Sequence, residues 1–256
     1  MKSAAGDALS KVPQVTLAFW IIKVLATTLG ETGGDALSMQ LGLGYLVSTL
    51  IFLAFFVVTV IAQVSAKRFH PLFYWACVVA TTTVGTTTSD YFDRSLGLGY
   101  VKSSAILLAG VIVVLAAWRR TTGSIAVDRI TSRTNEVFYW LTILVSNTLG
   151  TALGDFTADD AGLGFEGGAV LFSALIAAVA GVHFLWKRAP QAILFWAAYV
   201  LTRPLGATLG DTLTKPFAQG GLNLDRIAAS AVILIAMVVG VWLSERRQAR
   251  ASAEAA

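Results

Sequence analysis

Chemistry in this sequence begins with charged side chains inside apolar stretches. Aspartates stand at Asp35, Asp90, Asp155 and Asp211, each five residues after a glycine, at Gly30, Gly85, Gly150 and Gly206. A carboxylate at the centre of a bilayer costs about 3 kcal/mol, less near the interface, and intramembrane ionisable groups are functional hypotheses by default. Hydration of a helix end needs no such register. A solvated helix end and pairing with Arg94, Lys215 or Arg226 stand as the structural alternatives for each aspartate.

The first copy is the most elaborate. Thr27, Glu31 and Asp35 are spaced by four and form one slanting stripe if the helix continues that far. Hydroxyl, carboxylate and carbonyl oxygens suit hard cations such as Mn²⁺, Mg²⁺ or Ca²⁺. Glu31, Asp35, Asp90, Asp155 and Asp211 are therefore the candidate metal ligands, with a hard divalent cation as a bound substrate and no cofactor expected. Two cations accompany them: Lys23, near the middle of the first span, and Arg203, which occupies in the fourth copy the position of Thr27 in the first. These two could form a structural ion pair, neutralise the carboxylates until an ion or proton displaces them, or themselves hold a small anion or organic acid.

Other chemistries find little support. His70 and His183 lie near span ends, which disfavours a histidine-based metal or haem centre. Cys77 is a lone cysteine inside a span, with no disulfide partner in the chain. The string TTVG at Thr82 to Gly85 resembles a potassium-channel filter but lies within a span, without a separate pore helix. No serine-histidine, cysteine-histidine or HExxH constellation is present, so an enzyme is not expected.

Elements must carry these groups to one place, and the sequence shows how. With 56% hydrophobic and 13% charged residues and a mean hydropathy of +0.71, the chain has the bilayer as its solvent. Eight apolar stretches of crossing length run at roughly 14–38, 42–65, 70–92, 97–118, 136–158, 163–186, 191–213 and 222–243. The polar start, Met1 to Gln14, has no small-residue cleavage site behind it, so the first span is expected to be retained.

Four aromatic pairs open the odd spans: Phe19-Trp20, Tyr74-Trp75, Tyr139-Trp140 and Phe195-Trp196, each tryptophan ten residues before its glycine. The register gives four two-helix repeats, at about 12–68, 69–118, 135–188 and 189–244, with a basic linker at 119–134, in one membrane domain. An even number of spans per repeat makes the copies parallel, so their aspartates share one depth. The expected fold is an all-α, eight-span, pseudo-symmetric bundle with the odd spans inside. Four residues after the glycines come Gly34, Ser89, Gly154 and Gly210. Small-xxx-small spacing makes Gly30, Gly34, Gly85, Gly150, Gly154, Gly206 and Gly210 candidates for close helix packing.

Thirteen basic residues fall at the termini and after even spans: Lys2, Lys11, Lys67, Arg68, Arg119, Arg120, Arg129, Arg133, Lys187, Arg188, Arg246, Arg247 and Arg250. The positive-inside rule then places both termini in the cytoplasm and the aspartates near the opposite face. The basic surplus orients the protein and implies no nucleic-acid partner. Lipid and a small ion or solute are the expected partners.

The repeated FW or YW pair, the TTxG string or its variant, the following aspartate, and LTRPLGATLGD at Leu201 to Asp211 together resemble an uncharacterised bacterial membrane-protein family. That family has four copies of a repeat of unknown function, and the resemblance covers nearly the whole chain. Its members are sometimes labelled membrane-anchored proteins predicted to respond to manganese. The resemblance implies a bacterial cytoplasmic-membrane location and a link to Mn²⁺. Its pattern includes Lys23, the Gly30-Glu31 pair and the four aspartates. The reading that follows is a transporter, with export as the candidate direction, of a hard divalent cation; transport of an anion held by Lys23 and Arg203, or a non-transporting sensor or scaffold, are the alternatives.

Overall fold

The computed structural model describes residues 11–66, 68–127, 130, 132–186 and 188–254, with side chains through 251. Of the basic residues above, Lys2, Lys67, Arg129 and Lys187 lie outside the described residues. Eight long helices and no strand occur among those described: α1 (Leu17–Asp35), α2 (Gly44–Ser65), α3 (Pro71–Asp90), α4 (Tyr100–Thr122), α5 (Arg133–Asp155), α6 (Gly164–Leu185), α7 (Gln191–Thr214) and α8 (Arg226–Glu254).

The odd helices form a closed inner ring in which α1 packs on α3, α3 on α5, α5 on α7 and α7 on α1. Each even helix leans mainly on the inner helix of the next repeat: α2 on α3, α4 on α5, α6 on α7, and α8 back on α1. Every repeat is thus held by its successor, and the last outer helix closes the circle on the first inner one. Outer helices turn apolar residues such as Leu50, Val58, Ile112, Val170 and Val232 outward, as lipid contact requires.

Six helices are long and apolar enough to cross a membrane; α1 and α3 are not. This departs from the eight apolar spans expected, and the cause is visible in the ring. α1 carries Lys23, Glu31 and Asp35, and α3 carries threonines at 81, 82, 83, 86 and 87, all buried between helices. Neighbouring helices, and not lipid, solvate these polar groups, so apolarity averaged around the helix understates how well each is accommodated.

Inner helices α1, α3 and α5 each continue into a single π turn, at Ala36–Gln40, Tyr91–Ser95 and Phe156–Asp160. The GLG segments follow, and both glycines of each have positive φ, from 66° to 79°. A Cβ would meet nothing within 4 Å at any of these six positions, so the backbone angle, not crowding, selects glycine there. The fourth repeat differs: α7 ends at Thr214, Lys215-Pro216 follows, and a short 3₁₀ turn at Phe217–Gln219 leads to Gly220 with φ 86°.

Candidate functional site

Glycine sets the distance between inner helices. A Cβ added to Gly30, Gly85, Gly150 or Gly206 would lie 2.9 Å or less from Thr82, Asn147, Arg203 or Thr27, the residue three before the glycine of the next repeat. One turn further, Gly34, Gly154 and Gly210 face Thr86, Ala207 and Glu31 in the same cyclic sense. The contacts let hydroxyls reach neighbouring backbones: Thr27 donates to Thr202 O at 3.1 Å, Thr82 to Ala26 O at 3.2 Å, and Thr86 to Gly30 O at 3.0 Å. Thr27, expected as an oxygen ligand in the acidic stripe, therefore has its hydroxyl proton directed at carbonyls.

Polar groups fill the space these glycines leave along the ring axis. The layer one residue after the glycines holds Glu31, Thr86, Thr151 and Ala207. Arg203, fully buried, extends into it: its Nη2 lies 2.8 Å from Glu31 Oε2 and 2.6 Å from both Thr86 Oγ1 and Thr151 Oγ1. Ala207, on the arginine's own helix, supplies no fourth oxygen. Arg203 Nε and Nη1 have no hydrogen-bond partner among the described residues.

Nearer the start of the ring stands Lys23, also fully buried. Three positions separate it from Trp20 and eight from Glu31, about 4.5 and 12 Å of helix rise, so it sits closer to the aromatic end than to mid-span. Its ammonium lies 3.4 Å from Asn147 Oδ1 and 4.3 Å over the Tyr199 ring, and Asn147 Nδ2 donates in turn to Thr81 Oγ1 at 2.9 Å. Among the described residues no carboxylate forms an ion pair with it.

The four repeat aspartates are brought together at the opposite end, buried at 2% exposure or less, where solvated helix ends stood as one alternative. Two cations four residues beyond an aspartate bridge them in pairs. Arg94 lies 3.0 Å from Asp90 and 3.3 Å from Asp155; Lys215 lies 2.9 Å from Asp35 and 3.2 Å from Asp211. Arg226 adds a longer contact of 3.6 Å to Asp35. A carboxylate oxygen each from Glu31, Asp35 and Asp211 lies within 4.8 Å of the others, and Asp35 Oδ1 has no hydrogen-bond partner among the described residues.

Arg94 and Lys215 belong to the site although sequence reasoning held them only as possible partners of the aspartates. The signal was their spacing: i,i+4 on a helix places them beside Asp90 and Asp211, and only the second and fourth repeats have a cation there. Above them opens a cavity of about 330 Å³ lined by Arg94, Asp159, Phe165, Lys215 and Gln219. Just outside the spans, Asp225 accepts from Ala228 N at 2.8 Å and from Gln40, and these bonds, the backbone one foremost, hold its carboxyl below the usual value.

The aromatic pairs close the other end. Phe19 lies against Trp75, Tyr74 against Trp140, Tyr139 against Trp196, and Phe195 against Trp20, with centroids 5.6 to 5.9 Å apart. Inside this collar the Tyr74 and Tyr139 hydroxyls meet at 2.6 Å, while the buried Tyr199 hydroxyl has no hydrogen-bond partner among the described residues. From Trp20 to Asp35 is fifteen residues, about 22 Å of helix rise. A continuous column of polar side chains thus spans most of a hydrocarbon core of about 30 Å.

The sequence model of a family described as Repeat of Unknown Function (DUF347) matches the chain four times, at residues 18–69, 73–124, 138–189 and 194–249. Neither the curated proteins nor the solved structures compared with the chain gave a match.

Proposed function

This chain belongs to the DUF347 repeat family, and from the ring that its four copies build we propose that it transports a hard divalent cation, Mn²⁺ foremost, across the bacterial cytoplasmic membrane. It does so as a carrier of ions and not as an enzyme, with both termini on the cytoplasmic side. The observation that carries this reading is the convergence of Glu31, Asp35 and Asp211, buried on neighbouring helices, with carboxylate oxygens within 4.8 Å of one another. Three such oxygens suit a hard cation.

In this reading Lys215 is the resident counter-ion. It lies between Asp35 and Asp211 at the edge of the cavity, so an arriving divalent ion can take its place while the ammonium moves toward that space. Arg203 keeps Glu31 aimed at the axis. Asp90 and Asp155, bridged by Arg94, form a second acidic pair on the same ring for the ion to meet. The anion alternative is weaker, because the charge of Arg203 is already paired with Glu31, although its Nε and Nη1 keep donors to offer.

Elemental content of cells producing the protein, measured across Mn, Mg, Fe, Co, Ni, Zn and Ca beside an equally produced Asp35→Asn variant, tests the reading. A selective change in one hard cation, lost in the variant, is expected, and its sign gives the direction of transport. An unchanged metal profile in cells with verified membrane expression would overturn it.

A further inference from the structure

Charge balance on the axis raises the question of what leaves when a divalent ion enters. The column holds five carboxylates, Glu31, Asp35, Asp90, Asp155 and Asp211, and the cations Lys23, Arg203, Arg94 and Lys215, with Arg226 at its rim. The formal charges cancel. Two added positive charges in a buried, weakly polarisable column demand compensation. Arginine does not give up its proton in proteins, so among the cations of the column the two lysines remain. Lys215 is held by two carboxylates and can swing toward the cavity with its charge.

Lys23 has no carboxylate partner among the described residues and is fully buried. Its neighbours come from α7, α5, α3 and α8. From α7 come the face of Tyr199 and the like charge of Arg203; from α5, Asn147 and, in the collar below, Tyr139; from α3, Thr81 and Tyr74. The core positions of α8, Ile233, Met237 and Val241, are apolar. Among these, Asn147 Oδ1 accepts equally from a charged or a neutral amine, and no anionic partner is orphaned if the charge departs.

Resting on the transport reading above, we propose that Lys23 is the site of an exchanged proton, released as a divalent cation binds at the acidic end of the same column. The N–H bond breaks with its electron pair remaining on nitrogen, and the proton passes to solvent. The neutral amine stays on Asn147, and the unpartnered Tyr199 hydroxyl, together with the Tyr74 and Tyr139 hydroxyl pair, supplies groups that can both accept and donate on the collar side. The partner ion of the cation is then a proton, and Lys23 couples the two without touching the metal.

Counting protons released per Mn²⁺ bound to the purified full-length protein, by calorimetry in buffers of different ionisation enthalpy, tests this. Wild-type protein is expected to release protons, and Lys23→Arg, which keeps the charge but holds its proton, is expected to release one fewer. Lys23→Met serves the same comparison if the arginine variant does not fold, since it has no proton to give. Mn²⁺ binding to wild-type protein with no proton release, or with a count that neither variant changes, would overturn the proposal and leave the transport reading standing. Absence of binding of Mn²⁺, Mg²⁺ and Ca²⁺ alike would remove both.

Discussion

At the aromatic end of the ring all four repeats do the same thing: each leading Phe or Tyr rests on the tryptophan of the next, at nearly equal distances. At the acidic end they alternate, with Arg94 joining the second and third aspartates and Lys215 the fourth and first. Between the two ends the pattern breaks outright, with one glutamate, one buried arginine and one buried lysine. Cyclic repetition survives where shape alone is asked for, since identical contacts close a ring from identical units. It is given up where charge is placed, since two cations shared between four aspartates cannot repeat in every copy.

The strongest way to break this comparison is to attack the repeated layer. In Gly206→Val a side chain would have to occupy the place of the Thr27 backbone, whose carbonyl carbon lies 2.8 Å from the added Cβ. Neither helix can yield without opening the ring. The expected loss exceeds about 3 kcal/mol, the upper range for overpacking, and is read as a collapse of the thermal unfolding temperature in detergent. Gly33→Ala, whose Cβ would meet Ser230 at 3.9 Å, is expected to stay within about 0.5 kcal/mol of wild type. Equal damage in both variants would mean that glycine serves chain flexibility here instead of interhelical distance.

The layer that breaks the pattern is attacked next. Arg203→Met and Glu31→Gln each strand one buried partner, which typically costs about 3–5 kcal/mol when a buried pair is broken from one side. Removing both leaves no unpaired charge, so the double variant is expected to lose less stability than the two single losses summed. Unfolding measurements on all four proteins complete the cycle. Additive losses would mean that Thr86 and Thr151, and not Glu31, hold the guanidinium in place.

The same contrast explains what could be read in the sequence. The collar, the glycine layer and the odd-helix ring were legible because aromatic, glycine and aspartate keep one register through four copies. The outer helices were not: an apolar stripe on α2 does not say whether it covers α1 or α3, and here it covers α3. Likewise the partners of Lys23 and Arg203 come from other repeats at unequal positions, Asn147 three before its glycine and Glu31 one after, so no shared spacing points to them. Lys23 stands six residues after the start of α1 at Leu17 and twelve before its end at Asp35, so it lies toward the collar rather than at mid-span. The deficit of apolarity in α1 and α3 was in plain view and was itself a sign of the polar axis.

The mildest test separates the rim from the buried ring. Asp225 lies on the surface, accepting from Ala228 N at the start of α8 and from Gln40 in the π turn beyond α1, so it ties the last outer helix to the first inner one where the circle closes. The bonds to its carboxylate lower its pKa from 3.8, which means that folding favours the charged form. Its contribution is therefore complete above 3.8 and fades as the pH falls through the lowered folded value. Asp225→Ala is expected to unfold slightly earlier than wild type at neutral pH, with the gap closing in acid, whereas the glycine and arginine variants should show no such convergence. A gap that persists undiminished at about pH 2, below the usual carboxylate range, would show that the capping geometry, and not the carboxylate charge, fastens α8 to α1.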